Sequence, residues 1–377
     1  MRPFALAALL CLATFAQAVT ATFTPKGRGD EAPAIQKLYD TLVSFGGGEL
    51  YLDNPPPDKW CELDSPILVA PNMLSINTIG RGLRWDAYRY GGKGSCFTFM
   101  GLKNSRFVGV TLLLTTPNTI GFDFAGDKDH QSQSEITLEH CRVQGLQNCT
   151  GLRIGNTGND HSDYVIDRCS FYSSADFTNS DVAGSCARVH AYGFRGVEIL
   201  GGNTLNIAFT RTSVSGADVA FAHQGRAGEN GNGGSGTSYE GCGGSFNALV
   251  WLFDGYMPHR ITGGRWEDGA GLLLQGARLS AGQGTGRLTL EDVMVDSYDA
   301  RANKSLGFVD DGVLIGMHSN GSLRMDNLNG YGNQVDPSRW IGCRSNSGAG
   351  PVLAVGRSIF GAASVRPVEG QLGVVSQ

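Results

Sequence analysis

A short pattern of alternating apolar residues returns along the chain and constrains its fold more than any other feature. Each copy has two alternating apolar residues, a two-residue polar break, and a small residue followed one place later by another apolar residue, as in 136–143 and 164–171. Period two is typical of β-strands, and the copies follow one another too closely for helical crossovers. The pattern therefore predicts an all-β solenoid, a right-handed parallel β-helix.

The spacing of the copies supports this prediction. One apolar anchor per copy gives separations of 28, 43, 30, 22, 29 and 35 residues, and one turn of three strands and three bends needs about 20 to 30 residues. We therefore expect one turn in most gaps, with the surplus in loops, and a second interior column three residues after the anchors. The anchors are Leu138, Ile166, Phe209, Tyr239, Ile261, Leu290 and Met325, and the second column is Cys141, Cys169, Thr212, Cys242, Gly264, Val293 and Leu328.

Composition agrees with a large, turn-rich β protein. The chain has 55 glycines in 377 residues, 41% hydrophobic residues and only 17% charged residues. No linker or charge block divides it, so we expect a single β-helix domain over residues 19–377. The net charge is -5, and no basic run with interleaved aromatic residues occurs. These features argue against a nucleic-acid partner.

Residues 1–18 have the pattern of a signal peptide. Arg2 provides the positive start, an apolar stretch follows that is too short to span a bilayer, and Ala16-Gln17-Ala18 resembles a cleavage site. We therefore expect a secreted, extracellular protein that has no membrane association after cleavage. Acceptor sequences for N-glycosylation, such as the one at Asn148, make it a candidate glycoprotein.

Eight cysteines would remain after cleavage of the signal peptide, and an oxidising compartment favours disulfides. The repeat assigns three of them to the interior column, where a reduced thiol packs like a small apolar group. For the others we predict two bridges, Cys61 to Cys96 and Cys149 to Cys186. No C-x-x-C pair occurs, so a metal site made by cysteines is not expected.

Residues 30–52 form the predicted entrance to the solenoid. Asp30 is positioned to cap a helix whose apolar face covers the open end of the first turn, and Gly46-Gly47-Gly48 ends that helix before the strand 49–52. Through Gly29-Asp30, 34–36 and 46–52 the chain resembles the pectate-lyase-like superfamily of secreted carbohydrate-active proteins and phage tailspikes. The resemblance implies the β-helix fold and polysaccharide chemistry. The diagnostic motifs of polygalacturonase-like hydrolases and of mannuronan epimerases are largely missing, so the branch stays open.

A third strand of each turn carries the candidate site. Its triplets begin at 122, 152, 197, 219, 272 and 313, with apolar flanking residues that point inward and a middle residue that faces solvent. The outward column then runs Asp123, Arg153, Glu198 and Ala220. Carboxylates two turns apart would lie about 9 to 10 Å apart, close to the spacing of inverting glycoside hydrolases. Asp123 and Glu198 are thus candidate catalytic residues, and Arg153 is a candidate ligand for a sugar carboxylate. A ladder of ion pairs without catalytic function explains the same column.

Long loops beside this column suggest the walls of a groove. They add His190 as a candidate catalytic residue and four candidate substrate-binding residues, Tyr192, Arg195, His130 and His161. In a lyase or uronate epimerase, Arg153 would neutralise the substrate carboxylate. The neighbouring proton would then be removed by one of four candidate bases, His130, His190, Lys128 or Tyr192. Asp127, Asp129 and Asp160 would then be able to hold Ca²⁺. No other cofactor is required.

The sequence thus predicts a secreted enzyme that degrades an acidic, uronate-containing polysaccharide. A hydrolase with paired carboxylates is the first hypothesis, and a lyase or epimerase in the same groove is the second. The third is a carbohydrate-binding or adhesion solenoid that does not turn over its ligand.

Overall fold

The computed structural model of the chain describes residues 19–126, 132–155, 160–175, 181–201, 204–223, 236–253, 258–275, 287–308, 310–317, 322–331, 341–343, 352–355 and 373–376. The predicted signal peptide, residues 1–18, lies outside the described residues.

Short strands dominate the described part of the chain. The strands of its first half are β1 (Thr20–Phe23), β2 (Gly48–Leu52), β3 (Cys61–Leu63), β4 (Ile67–Val69), β5 (Ile76–Gly80), β6 (Tyr88–Tyr90), β7 (Ser95–Phe99), β8 (Lys103–Val108), β9 (Thr111–Leu114), β10 (Ile120–Phe124), β11 (Ser132–Glu139), β12 (Arg142–Gly145), β13 (Thr150–Ile154), β14 (Asp160–Asp167), β15 (Ser170–Ser173), β16 (Arg195–Ile199) and β17 (Thr204–Thr210). The second half has β18 (Ser213–Ser215), β19 (Val219–His223), β20 (Thr237–Glu240), β21 (Gly244–Ser245), β22 (Leu249–Phe253), β23 (His259–Thr262), β24 (Arg265–Glu267), β25 (Gly271–Gln275), β26 (Arg287–Glu291), β27 (Met294–Asp296), β28 (Ile315–Met317), β29 (Ser322–Asp326), β30 (Asn329–Tyr331), β31 (Ile341–Cys343), β32 (Val352–Val355) and β33 (Gly373–Ser376). The helices are α1 (Ala32–Ser44) and α2 (Val182–Tyr192), with a 3₁₀ turn at Asn303–Leu306.

The strands form a coil with three sides. One side is a thirteen-stranded sheet from β1 to β33, and a second is a ten-stranded sheet that contains β4, β7, β10, β13, β16, β19, β22, β25, β28 and β31. The third side consists of a six-stranded sheet from β3 to β18 and a four-stranded sheet from β21 to β30, which meet where Ser213 pairs with Gly243. All of these strand pairs are parallel, which confirms the predicted parallel β-helix.

The predicted register of the thirteen-stranded sheet is confirmed. Leu138 pairs with Ile166, and the same column continues through the predicted anchors to Met325. Each of these side chains is at most 1% exposed, and together they form part of one core that runs through the coil. Aromatic rings stack along this core, for example Phe209 on Tyr239 with ring centroids 5.1 Å apart. Burial of successive apolar columns stabilises the coil turn by turn.

Helix α1 packs against β1, β2 and β4, and its role as a cap on the open end of the coil stays a prediction. Ile35, Tyr39 and Leu42 are fully buried on its inner face, and Tyr39 is hydrogen bonded to Thr78 at 2.8 Å. The N-cap residue is Glu31, one position after the predicted Asp30, and Asp30 accepts a hydrogen bond from the backbone N–H of Ala32 at 3.0 Å.

Both predicted disulfides are absent, because Cys61, Cys96, Cys149 and Cys186 are separate, buried thiols. The first two lie inside the coil, on different sheets, and Cys149 packs near Thr116 and Thr119. Cys186 lies on α2, where its thiol donates to the backbone oxygen atoms of Asn247 and Asp268. The four thiols are therefore buried at different places in the coil, and the predicted pairs do not form. The predicted interior cysteines Cys141, Cys169 and Cys242 are all buried.

Candidate active site

The outward column of the ten-stranded sheet follows the prediction for three turns. Asp123 pairs with Arg153 in the strand register, and Arg153 pairs with Glu198. The next position is Ala222, whereas the sequence predicted Ala220. Ala220 instead stands beside Gly196 and is buried in the core, because Phe221 follows Val197 in the inward column. The predicted triplets that begin at 219 and 313 are therefore wrong by two residues, and the one that begins at 272 is wrong by one.

The prediction that this column faces solvent is wrong for both carboxylates. Asp123 is 3% exposed and Glu198 is 1% exposed. Arg153 donates to Asp123 from Nε (3.0 Å) and Nη2 (2.7 Å), and Ser95 donates to the same carboxylate at 2.7 Å. These donors replace the water that an exposed carboxylate would bind, so the carboxylate is tolerated in a buried position.

Glu198 has a different arginine as its partner. Arg195 Nη1 donates to Glu198 Oε1 at 2.8 Å, and the Thr150 hydroxyl donates to the other carboxylate oxygen at 3.1 Å. Arg195 itself is 6% exposed. Asp123 and Glu198 thus each belong to an ion pair, with Arg153 and Arg195 respectively, and neither carboxylate faces solvent as the ladder alternative supposed.

A cavity of about 380 Å³ lies beside the Arg195–Glu198 pair. Its floor is the outward face of β19, β22 and β25, and its walls come from the end of α2 and from the chain next to the 3₁₀ turn. The lining residues are His190, Arg195, Asp218, Val219, Leu249, Leu252, Leu274, Ser305, Leu306 and Gly307.

The floor of this cavity is apolar because the outward face of the sheet changes character after β16. Val219, Leu249, Leu252 and Leu274 stand where earlier turns have charged or hydroxyl side chains. They pack with Phe308 and Val313 in a second apolar cluster outside the main core. The cavity therefore has charged residues at one end and hydrocarbon along its floor.

A histidine and a carboxylate meet at the charged end. His190 Nδ1 lies 2.6 Å from Asp218 Oδ1, and the histidine side chain is 43% exposed. The hydrogen bond with Asp218 raises the pKa of His190 above its ordinary value, although partial burial opposes this shift. The imidazole group, whose ordinary pKa is the closest of all side chains to neutral pH, is suited to accept and return a proton.

The capped ends of helix α2 fix the position of His190. The Asp181 side chain accepts a hydrogen bond from the Gly184 backbone at 2.8 Å, which satisfies the first turn. Gly193 ends the helix with a φ of 72°, a conformation that glycine adopts readily. His190 lies in the last turn, where the helix dipole favours a positive charge.

The other predicted site residues lie apart from this cavity. Tyr192 is partly buried against the main core, and burial raises its pKa. His161 is fully buried in β14 and is hydrogen bonded to the Tyr164 hydroxyl at 3.1 Å, so its ring is not accessible to a polymer in this structure.

The predicted Ca²⁺ ligands and His130 are only partly covered by the structure. His130, Lys128, Asp127 and Asp129 lie outside the described residues. Asp160 begins β14, but its side chain also lies outside them. Within the described ranges, no group of three or more His, Cys, Asp or Glu side chains is arranged to hold a metal ion. The Ca²⁺ site stays a prediction.

Sequence reasoning missed Asp218. This residue immediately precedes β19 and is 28 residues from His190, which corresponds to one turn of the coil. Spacing by one turn was the signal that would have paired it with His190.

Comparisons at the sequence level found no match, either to a family model or to a curated protein. Solved structures do match. The tailspike protein of E. coli bacteriophage HK620, solved in complex with a pentasaccharide, has a TM-score of 0.54 and 11% identity, with 93% of this chain and 62% of the tailspike chain covered. An endo-xylogalacturonan hydrolase from Aspergillus tubingensis has a TM-score of 0.51 and 13% identity, with coverage of 94% and 95%.

A lower score belongs to the A-module of a mannuronan C-5 epimerase from Azotobacter vinelandii, with a TM-score of 0.42 and 14% identity, covering 93% of this chain and 96% of the module. The chain spans about three fifths of the length of the tailspike chain that it matches. At these identities the likeness establishes the fold, which is the right-handed parallel β-helix. In the part of the chain that the structure describes, no helix is long and apolar enough to cross a membrane.

Proposed function

We propose that this protein is a secreted enzyme that cleaves an acidic polysaccharide by β-elimination in the cavity beside His190. The observation that carries the proposal is the contact of 2.6 Å between His190 and Asp218 in the lining of a cavity that Arg195 also lines. A proton acceptor and a guanidinium group at one end of a cavity are the two groups that uronate elimination requires.

The proposed reaction assigns one task to each residue. Arg195 binds the uronate carboxylate and thereby stabilises the negative charge that develops when the proton at C5 is removed. His190 accepts this proton, and Asp218 orients the imidazole and stabilises its charged form. The bond from C4 to the glycosidic oxygen breaks, a C4–C5 double bond forms, and the imidazolium returns its proton to the leaving oxygen.

Fold neighbours support the substrate class. The hydrolase neighbour is named for a polysaccharide, xylogalacturonan, and the tailspike neighbour was solved with a pentasaccharide. These proteins share only the fold with this chain, so the acidic character of the glycan rests on Arg195. Secretion rests on the pattern of residues 1–18.

Hydrolysis by Asp123 and Glu198 is the second candidate. Their shared outward column favours it, because strands two turns apart lie about 9 to 10 Å from one another. Burial and the ion pairs with Arg153 and Arg195 count against it, since a catalytic carboxylate has to reach the glycosidic oxygen or a water molecule. Arg153 then has a positioning role through Asp123.

The test is incubation of the protein with uronate-containing and neutral polysaccharides, with and without Ca²⁺. Reducing ends and the absorbance of unsaturated products are followed together. Elimination produces both signals, whereas hydrolysis produces reducing ends alone. A change of uronate configuration without either signal, followed by NMR, would identify an epimerase. Absence of all three signals, with sugar binding retained, would identify a binding solenoid.

Variants separate the two candidate mechanisms. We expect His190→Gln and Asp218→Asn to reduce turnover, with His190→Gln slowing it by about 10²- to 10⁴-fold, the usual contribution of a general base. His140→Asn is the matched control, because His140 is half-exposed in the bend after β11 and has a φ of 54° that asparagine tolerates. Turnover that persists in His190→Gln but disappears in folded Asp123→Asn would replace the elimination mechanism with hydrolysis.

A further inference from the structure

Three arginines in the described residues lie over aromatic rings on the sides of the coil. Arg81 lies 4.1 Å from the Tyr51 ring centroid, and Arg89 lies 3.5 Å from that of Trp60. Both also have a carboxylate partner, because Arg81 pairs with Asp53 at 3.5 Å and Arg89 pairs with Asp86 at 3.4 Å. Ion pairing within the protein thus accounts for these two guanidinium groups.

Arg142 is different. Its guanidinium carbon lies 4.4 Å from the Tyr172 ring centroid and 5.7 Å from that of Trp85, within the range of cation–π contact. Arg142 Nε is buried and has no hydrogen-bond partner among the described residues. Burial also lowers the pKa of this guanidinium. Two rings therefore hold a cation in place without a carboxylate from the described chain.

The surroundings leave this position open to a ligand. Trp85 is 49% exposed, which is unusual for so large an apolar side chain. The acidic residue nearest to Trp85 in sequence is Asp86, whose Oδ2 accepts hydrogen bonds from Trp60 at 2.8 Å and from Arg89 at 3.4 Å. Arg142 and Tyr172 stand on β12 and β15 of the six-stranded sheet, a different side of the coil from the cavity at His190.

We infer that Trp85, Arg142 and Tyr172 form a second binding site, which holds a uronate residue of a polysaccharide chain. The fork of Arg142 would bind the sugar carboxylate, and the exposed face of Trp85 would stack on the C–H face of the pyranose ring. The choice of a polysaccharide rests on the proposed function. The site does no chemistry, and it retains a long polymer while another part of that polymer occupies the cavity.

The experiment measures binding of galacturonate oligomers by calorimetry in the His190→Gln protein, and kinetics with long and short substrates in the otherwise native protein. We expect Trp85→Ala and Arg142→Gln to weaken oligomer binding about tenfold or more, the loss typical of a charge-assisted contact. Arg142→Lys should recover part of this loss, because it keeps the charge but not the fork. Arg81→Gln is the matched control, since Arg81 also lies over a ring but already has a carboxylate partner.

Two further measurements separate this inference from the proposed function. Carboxyl-reduced oligomers should bind equally to Arg142→Gln and to the protein with Arg142. In kinetics, Trp85→Ala should raise KM for long polymers and leave kcat and the cleavage of short oligomers unchanged.

Each outcome then supports or overturns the second site independently of the proposed function. If Trp85→Ala and Arg142→Gln both bind the oligomers as well as the Arg81→Gln control does, the second site is overturned, even when cleavage is intact. Weakened binding in these variants, in a protein that cleaves nothing, supports the second site and overturns the proposed function. Failure of every galacturonate oligomer to bind overturns the site as a uronate site.

Discussion

Asp123 and Arg153 form a bidentate ion pair across neighbouring turns of the coil, with nitrogen-to-oxygen distances of 3.0 and 2.7 Å. The aspartate is almost completely buried, and about a quarter of the arginine side chain is exposed. The pair therefore joins two strands of the ten-stranded sheet where a bare carboxylate would be costly.

Removal of the arginine should destabilise the fold. In Arg153→Met, Asp123 loses two of its hydrogen bonds, and breaking a buried pair in this way costs about 3 to 5 kcal/mol. Because Arg153 is partly exposed, we expect about 3 kcal/mol, measured as a loss in the free energy of unfolding in guanidinium chloride. Arg260→Met, which breaks the exposed pair with Glu291, is the control and should cost no more than about 1 kcal/mol. Equal losses in the two variants would contradict the prediction.

The pH dependence of the His190–Asp218 pair has a defined sign. The hydrogen bond with Asp218 raises the pKa of His190 in the folded state above its ordinary value. The pair thus contributes stability that is fully present below the unfolded-state pKa and is lost as the pH rises through the folded-state pKa. NMR titration of the His190 ring should show the raised pKa, and Asp218→Asn should lower it.

The same pair predicts a shift in the activity profile. A general base has to be neutral, so kcat/KM should rise with pH through the pKa of His190. In Asp218→Asn this acid limb should move to lower pH while the maximum rate falls. The Asp123→Asn variant serves as the comparison, and a limb that moves there but not in Asp218→Asn would assign the titration to another group.

The sequence was sufficient to predict the strand register in the core. It was insufficient to predict which outward-pointing side chains are buried. Leu138 and Ile166 could be aligned because apolar alternation follows directly from burial inside the coil. Burial of Asp123 could not be predicted, since a polar residue at an outward position is compatible with water or with an arginine from the next turn. Ala220 was misplaced because Ala220 and Ala222 are both small residues and both flank Phe221.

Prediction of the candidate site was limited for the same reason. His190 and Arg195 were identified as loop residues with suitable chemistry, but their neighbours in space depend on how α2 packs onto the outer face of the sheet. Asp218 was missed because a carboxylate just before a strand resembles an ordinary bend residue. Packing between elements that are distant in the sequence determines which site residues become partners. This packing produces no periodic pattern from which it could be predicted.

A column of small residues lies where the ten-stranded sheet approaches the six-stranded sheet. A Cβ atom at Gly151 would lie 2.6 Å from a ring carbon of Phe171 and 2.7 Å from the backbone oxygen of Gly196. Because a backbone atom cannot yield as a side chain does, Gly151→Ala should cost about 1 to 3 kcal/mol in unfolding free energy. Phe171→Leu in the same chain relieves only the ring contact, so it should not restore stability. A stable Gly151→Ala protein would contradict the packing of these turns.

The cysteines provide a test of the core that also addresses the disulfides predicted from the sequence. Seven cysteines are buried and form no disulfide, namely Cys61, Cys96, Cys141, Cys149, Cys169, Cys186 and Cys242. Burial raises the pKa of Cys186 and that of Cys242 to about 12, so the reactive thiolate is scarce at neutral pH. In the native protein we expect none of the seven to react with a thiol reagent, as followed by peptide mass spectrometry. In guanidinium chloride without reductant, all seven should be labelled. Peptides linked by a Cys61–Cys96 or Cys149–Cys186 bridge would instead support the prediction made from the sequence, and rapid labelling of the native protein would show that these turns open without global unfolding.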